Sequence, residues 1–420
     1  MIKKIIAGFC LLFAAVGFSQ ENNASPYSYY GLGDQKFKGT VDNRSMGGVS
    51  MVPDSIHINL QNPATYASLK YTTFTLGAGN SSTNLETNTQ SDKTNRTSLD
   101  YLAVAIPFNN FGFVVGIMPY TSVGYKIEDY ETGSDGLSRY KKFDGSGGLN
   151  RVFAGVGYKI TPKLSVGGEF AYNFGNIETS SLIAISEVQY ATKEFNKSHY
   201  DGASFNFGAT YVTKVNNKYI WSSSAVFSTQ ANLKSTTERE LSTVTLNAAG
   251  TETTVDLVDV RAYDESVKLP SKFTVGSGFG RDRKWFAGAE YTFQESNEMG
   301  NRFDNVTDAA FQSAYKVSLG GYYIPNYSSL TSYFNRITYR AGLKYANTGL
   351  VINQQEIKDY GFSFGLGLPL GGYNAASNVN IGMELGKRGT KNAGLVQENY
   401  VNVFVSLSFN DRWFVKRKYD

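Results

Sequence analysis

The chain has 420 residues, of which 41% are hydrophobic, 18% charged and 14% aromatic. No apolar run reaches the roughly 18 residues that a membrane-crossing helix needs, so a helical-bundle membrane protein is excluded. A net charge of +4 is too small and too scattered for a nucleic-acid binder, and only His57 and His199 are available for histidine-dependent catalysis.

In chain order, Lys3 and Lys4 precede an apolar stretch from Ile5 to Phe18, with Gly17 and Ser19 as the small residues before a cleavage point. Residues 1–19 therefore read as a cleaved signal peptide, too short in its apolar part to anchor the chain. The single cysteine, Cys10, lies inside it, so the exported chain has no disulfide framework. Residues 20–70 hold turn pairs and no sustained period of 2 or 3.6. From 71 to 409 alternation dominates. Val401, Val403, Val405, Leu407 and Phe409 alternate with Asn402, Phe404, Ser406 and Ser408, and Ile337 to Ala346 and Tyr360 to Leu368 behave alike. Residues 410–420 form a basic tail, with Trp413 and Phe414 as interfacial anchors.

The direction of this amphipathicity decides the fold. A soluble sandwich would turn the apolar face inward. Segments of about 10 to 14 residues instead suit tilted membrane strands, and aromatic residues crowd their ends as interfacial girdles do. Connections alternate between short (Asn109-Asn110, Thr161-Pro162, Asn216-Asn217, Arg281-Asp282-Arg283) and long (83–96, 129–148, 179–202, 232–265, 296–313). Fourteen strands are predicted, from 72–82 to 399–409, with 266–280 as the eighth. The fold class is all-β: a transmembrane antiparallel β-barrel of about fourteen strands, closed because bilayer has no water for an open edge, with residues 20–70 as a plug in its lumen.

Specific residues now point to a family. Tyr30-Gly31-Leu32-Gly33, Arg44-Ser45-Met46-Gly47-Gly48 and Asn62-Pro63-Ala64, followed by Leu269-Pro270, Gly276 and Trp285, resemble the FadL-type outer-membrane transporters of long-chain fatty acids and other hydrophobic compounds. The resemblance implies a hatch over 20–70 with Asn62, Pro63 and Ala64 as its motif, and ligand entry from external loops. It also implies a lateral exit near an inward kink in the third strand, where this chain carries Pro119. Because proline removes a ladder donor, Pro119 marks either such a gap or a simple bulge.

Charged residues on the inferred lumen face are Arg151, Lys159, Glu169, Glu290, Lys316, Arg340, Lys344 and Glu384. Arg340 and Lys344 are the candidates for a ligand carboxylate, since they project from one strand face; the alternative is that these charges pair with one another or hold the plug. His57 in the plug and His199 in a loop have no nucleophile nearby, so no catalytic residue, cofactor or metal is expected. The expected role is an uptake channel in a Gram-negative outer membrane for a fatty-acid-like hydrophobic molecule, in contact with outer-membrane lipid and not with nucleic acid. The rival is a FadL-like barrel that binds a protein partner of a secretion apparatus through long external loops such as 232–265. A transporter should hold a continuous apolar pocket at the junction of plug and loops; a partner protein should show a filled lumen and an exposed apolar patch on its loops.

Overall fold

The computed structural model describes residues 23–413 apart from 53, 217, 248–249, 262–263, 298, 300–308 and 372–375. The expected signal peptide, most of the basic tail and much of 296–313 lie outside the described residues.

Fourteen antiparallel strands form the wall: β1 Thr72–Glu86, β2 Ser91–Phe108, β3 Phe111–Thr132, β4 Ser138–Lys159, β5 Leu164–Ile185, β6 Ala191–Val215, β7 Tyr219–Ser228, β8 Lys272–Arg281, β9 Trp285–Gln294, β10 Ala314–Tyr323, β11 Thr338–Ile352, β12 Gln355–Pro369, β13 Asn378–Gly389 and β14 Gln397–Asp411. Each pairs with the next, and β14 pairs with β1 from Gln397↔Glu86 to Asp411↔Thr72, which closes the barrel. The apolar face is the outer one. Val401, Val403 and Val405 are exposed, whereas Asn402 and Ser406, which alternate with them, are buried. On β12, Phe362 and Phe364 are exposed and Ser363 is buried. Such a face is stable only against lipid.

The connections correct the sequence reading. Asn109 and Arg283 adopt left-handed backbone, as tight turns at the short end require. The long connections, however, are not irregular loops. β3 to β6 run for 22 to 25 residues, roughly 70–80 Å at about 3.3 Å per residue, while a tilted strand crosses the bilayer in about 9–11. The segments 129–148 and 179–202 are mostly upward prolongations of these strands. The segment 232–265 is likewise a hairpin, Ala231–Leu246 with Glu252–Arg261, whose first strand pairs with the prolonged β6. The expected strand 266–280 is two strands. Glu265–Leu269 pairs with the hairpin, and Lys272–Arg281 joins the barrel beside β7. Pro270 separates them, because proline cannot donate in a continuous ladder.

The N-terminal segment lies inside the ring of strands and touches walls on opposite sides. It contains two 3-10 turns, Pro26–Tyr29 and Pro63–Ser68, one α-helical turn, Val41–Arg44, and a two-residue strand, Asp34–Gln35. Glycines on the wall permit its approach. Gly157, Gly167 and Gly208 stand in one ladder row across β4, β5 and β6, and a Cβ on any of them would collide with Asn62–Tyr66. Opposite, paired Gly320 and Gly342 lie against the Met46 backbone. Hydrophobic side chains complete the seat: Leu60, Tyr66 and Leu69 pack with Tyr101, Val114 and Phe153 of the wall.

Candidate functional site

The Asn-Pro-Ala motif is a helix-turn start clamped to the wall. Asn62 caps the turn, its Oδ1 accepting from Ala64 N at 3.0 Å, while its Nδ2 donates to Thr210 Oγ1 on β6 at 3.0 Å. Pro63 occupies the first turn, where a missing N–H costs nothing. Tyr66 then donates to Glu169 on β5 at 2.9 Å, and Lys38 pairs with the same carboxylate at 2.5 Å.

Other polar residues of the hatch are matched to the wall in the same manner. Arg44 meets Glu384 at 2.9 Å, Asp34 meets Arg388 at 2.8 Å, and Ser50 donates to Glu290 through N at 2.9 Å and Oγ at 2.8 Å. Ser25 donates to Glu398. Arg340 reaches Asp42 at 3.2 Å, as an ion pair without hydrogen-bond alignment, and donates to Asn380 at 3.1 Å. Lys344 pairs with Glu384 at 2.6 Å and Asp359 at 3.0 Å. Both proposed carboxylate-binding cations thus already have anionic partners. His57, expected to be structural, donates or accepts at Nδ1 with Asp54 at 2.8 Å and lies 3.8 Å from Asp42. Burial pushes its pKa down, but Asp42 and Asp54 outweigh that and hold it above the usual 6.5. Burial raises the Asp54 carboxyl; His57, the Ile56 N–H and Arg340 outweigh this and bring it to about 2.

Pro119 lies on β3 opposite Asn150, and the register shifts between Pro119 and Thr121, so a bulge is present. Pairing with β2 also stops there: it runs from Phe108↔Phe111 only to Leu102↔Ile117. Above this point the hatch takes the β3 edge. Asp34 and Gln35 pair with Ser122 and Thr121, Lys36 N donates to Tyr120 O at 2.9 Å, and Gly124 N donates to Ser28 Oγ at 3.1 Å. Backbone groups that β2 leaves unpaired are thereby satisfied.

Between hatch and wall is a chamber of about 400 Å³. Its lining is rich in charge, with Lys38, Arg44, Lys272, Lys316, Lys344 and Glu384 among its residues, and Arg340 is not part of it. A second space of about 80 Å³ behind Pro119 shares Lys38 and Lys272 with it. Neither of these two spaces is lined by apolar residues alone. Sequence reasoning passed over Asp42, Lys272, Asp359 and Arg388; the last three lie in the strand alternation, but nothing local shows which charges will face a partner. Among the described residues, no three His, Cys, Asp or Glu side chains gather as a metal site.

No curated protein matches the chain in sequence. Solved structures do match in fold. The toluene transporter TbuX of Ralstonia pickettii superimposes with a TM-score of 0.59 at 15% identity, over 90% of this chain and 99% of that one. The toluene transporter TodX of P. putida gives 0.59 at 14%, over 90% and 100%. A Pseudomonas aeruginosa FadL homologue gives 0.58 at 12%, over 90% and 98%. The expected FadL-type architecture is therefore present: a closed fourteen-strand antiparallel barrel of the outer-membrane kind. Over residues 1–420 the sequence matches the family described as BamG, and the chain belongs to the BamG family.

Proposed function

We propose that this protein is a hatch-closed outer-membrane barrel whose main role is to bind a protein partner at its external end. The observation that carries this reading is the asymmetric sheet raised above the bilayer by β3 to β6 and the hairpin Ala231–Arg261. Val255, Leu257 and Val258 on that hairpin are each more than half exposed, away from the lipid band. Apolar groups held in water without a membrane mark an interaction surface. The ion-paired hatch and the charges on the chamber wall agree with it, since a channel for apolar cargo needs an apolar path, although the chamber of about 400 Å³ leaves the lumen only partly filled. A native mass spectrum of the full barrel, extracted gently from its own outer membrane, tests the proposal. A stoichiometric protein partner is expected; a bound apolar small molecule without any protein would overturn it.

The second reading is passage of a hydrophobic small molecule, the class of cargo named for the toluene transporters of like fold, with fatty acids as the finer expectation. The end of β2–β3 pairing at Pro119 favours it, as a lateral exit into lipid. Under this reading Lys344 meets a ligand carboxylate only by exchanging it for Glu384 or Asp359. Replacing Ser98, which lines the chamber on β2 beside this seam, with Trp should block uptake of a labelled fatty acid or toluene by whole cells while the barrel still folds. Uptake at the wild-type rate would remove the lateral exit.

A further inference from the structure

Most charges around the chamber have a named counter-ion, as described above. Two cations on one wall do not. Among the described residues, Lys272 has no carboxylate within 4.0 Å and makes no side-chain hydrogen bond; Lys316 meets only the Phe37 ring, its Nζ 5.8 Å from the centroid. Glu290, the acidic group on the intervening strand, is engaged by the hatch through Ser50. Both lysines are half-buried and face the chamber, and two ammonium groups on one such surface with no paired anion repel each other.

The strand register places hydroxyls between them. Thr274 on β8, Thr292 on β9 and Lys316 on β10 form one ladder row, and Lys272 is two residues from Thr274 on the same face. All four line the chamber. The two threonine oxygens are 3.0 Å apart. Their mutual hydrogen bond uses one hydroxyl hydrogen and leaves the other to donate.

We infer that Lys272, Thr274, Thr292 and Lys316 form a binding site for a compact dianionic oxyanion of the phosphate class. Two ammonium groups balance two negative charges, and the flanking hydroxyl donates to a third oxygen. The polar surroundings, with Asn206 and Ser228 beside Lys272, suit a phosphate group and not an apolar tail. The same chemistry belongs to a free phosphate ester and to a lipid phosphate headgroup arriving from the bilayer.

The test is isothermal titration of sodium phosphate at pH 7.5 into the full-length barrel in neutral detergent, at constant ionic strength, with sodium chloride as control. Saturable binding at one site is expected, weakened at least tenfold in Lys272→Gln/Lys316→Gln and several-fold in the milder Thr292→Val. Heat-dependent gel migration checks that each variant is folded. No saturable heat above the chloride control, or equal binding by the folded double variant, would overturn the site. Short-chain phosphatidic acid in the same micelles separates the two sources: competition with phosphate assigns a lipid headgroup, and its lack, with phosphate still bound, assigns a free anion. The partner reading is read out separately, by the native mass spectrum, so either can fail alone.

Discussion

At the scale of single residues, the hatch is held by ion pairs whose titration has a definite direction. Asp54 has a folded-state pKa below its ordinary 3.8, so its contribution is present above that value and fades as pH falls toward about 2. His57 has a folded-state pKa above 6.5, so its contribution is complete below 6.5 and fades as pH rises through the folded value. Together they hold the Val41–Leu60 part of the hatch best between 3.8 and 6.5. The Asp54 side chain keeps 42% exposure, so solvent weakens its share. Replacing His57 with Gln should therefore speed hydrogen exchange in 41–60 most near pH 5, and progressively less above pH 7. A difference independent of pH would show that His57 acts by packing alone. Glu384 is the most connected acid of the network, and Glu384→Gln leaves Arg44 and Lys344 short of a partner. A loss of about 3–5 kcal/mol is expected for an enclosed pair, less for Arg44, which is partly open to the chamber. Denaturant titration with a probe on the hatch measures it.

Among elements, the hatch and the wall are fitted through backbone and not only through side chains. The row Gly157–Gly167–Gly208 removes three side chains where the Asn62–Tyr66 turn rests. Gly167→Val should leave the barrel closed, because its wall partners are unchanged, and destabilise the docked turn by about 1–3 kcal/mol, as overpacking does. Hydrogen exchange at 62–68 should accelerate correspondingly, while the β14–β1 ladder stays protected. Slowed or unchanged exchange at 62–68 would mean that the turn does not depend on that row. The glycines were visible in the sequence as small residues on the polar face, but their alignment across three strands depends on register, which alternation alone does not specify.

For the whole molecule, the barrel is taller on one side than a bilayer requires, and this asymmetry separates the partner reading from simple passage. The triple replacement of Val255, Leu257 and Val258 by Asp should remove a co-purifying protein at near-zero cost to barrel stability, because exposed substitutions away from packed features usually fall within about 0.5 kcal/mol. A partner retained at full stoichiometry would move the interface elsewhere. The other end has a candidate too: the connection between β10 and β11 exposes Leu330 and Phe334.

The sequence by itself determined the strand period, which face is apolar, the number of wall strands and the tight turns at Asn109 and Arg283. These are local properties, set by side-chain alternation and turn chemistry. Tertiary structure alone decided that the long connections continue as sheet, that Pro270 divides two strands, and that β2 leaves β3 at Leu102↔Ile117. It also decided which luminal charges are spent on the hatch, Arg340 among them, which pair within the wall, as Lys344 does with Glu384 and Asp359, and which do neither. The physical reason is common to all of these: each depends on what lies across the lumen or on the neighbouring strand, so a lysine is a counter-ion or an open cation according to a partner that its local sequence does not show.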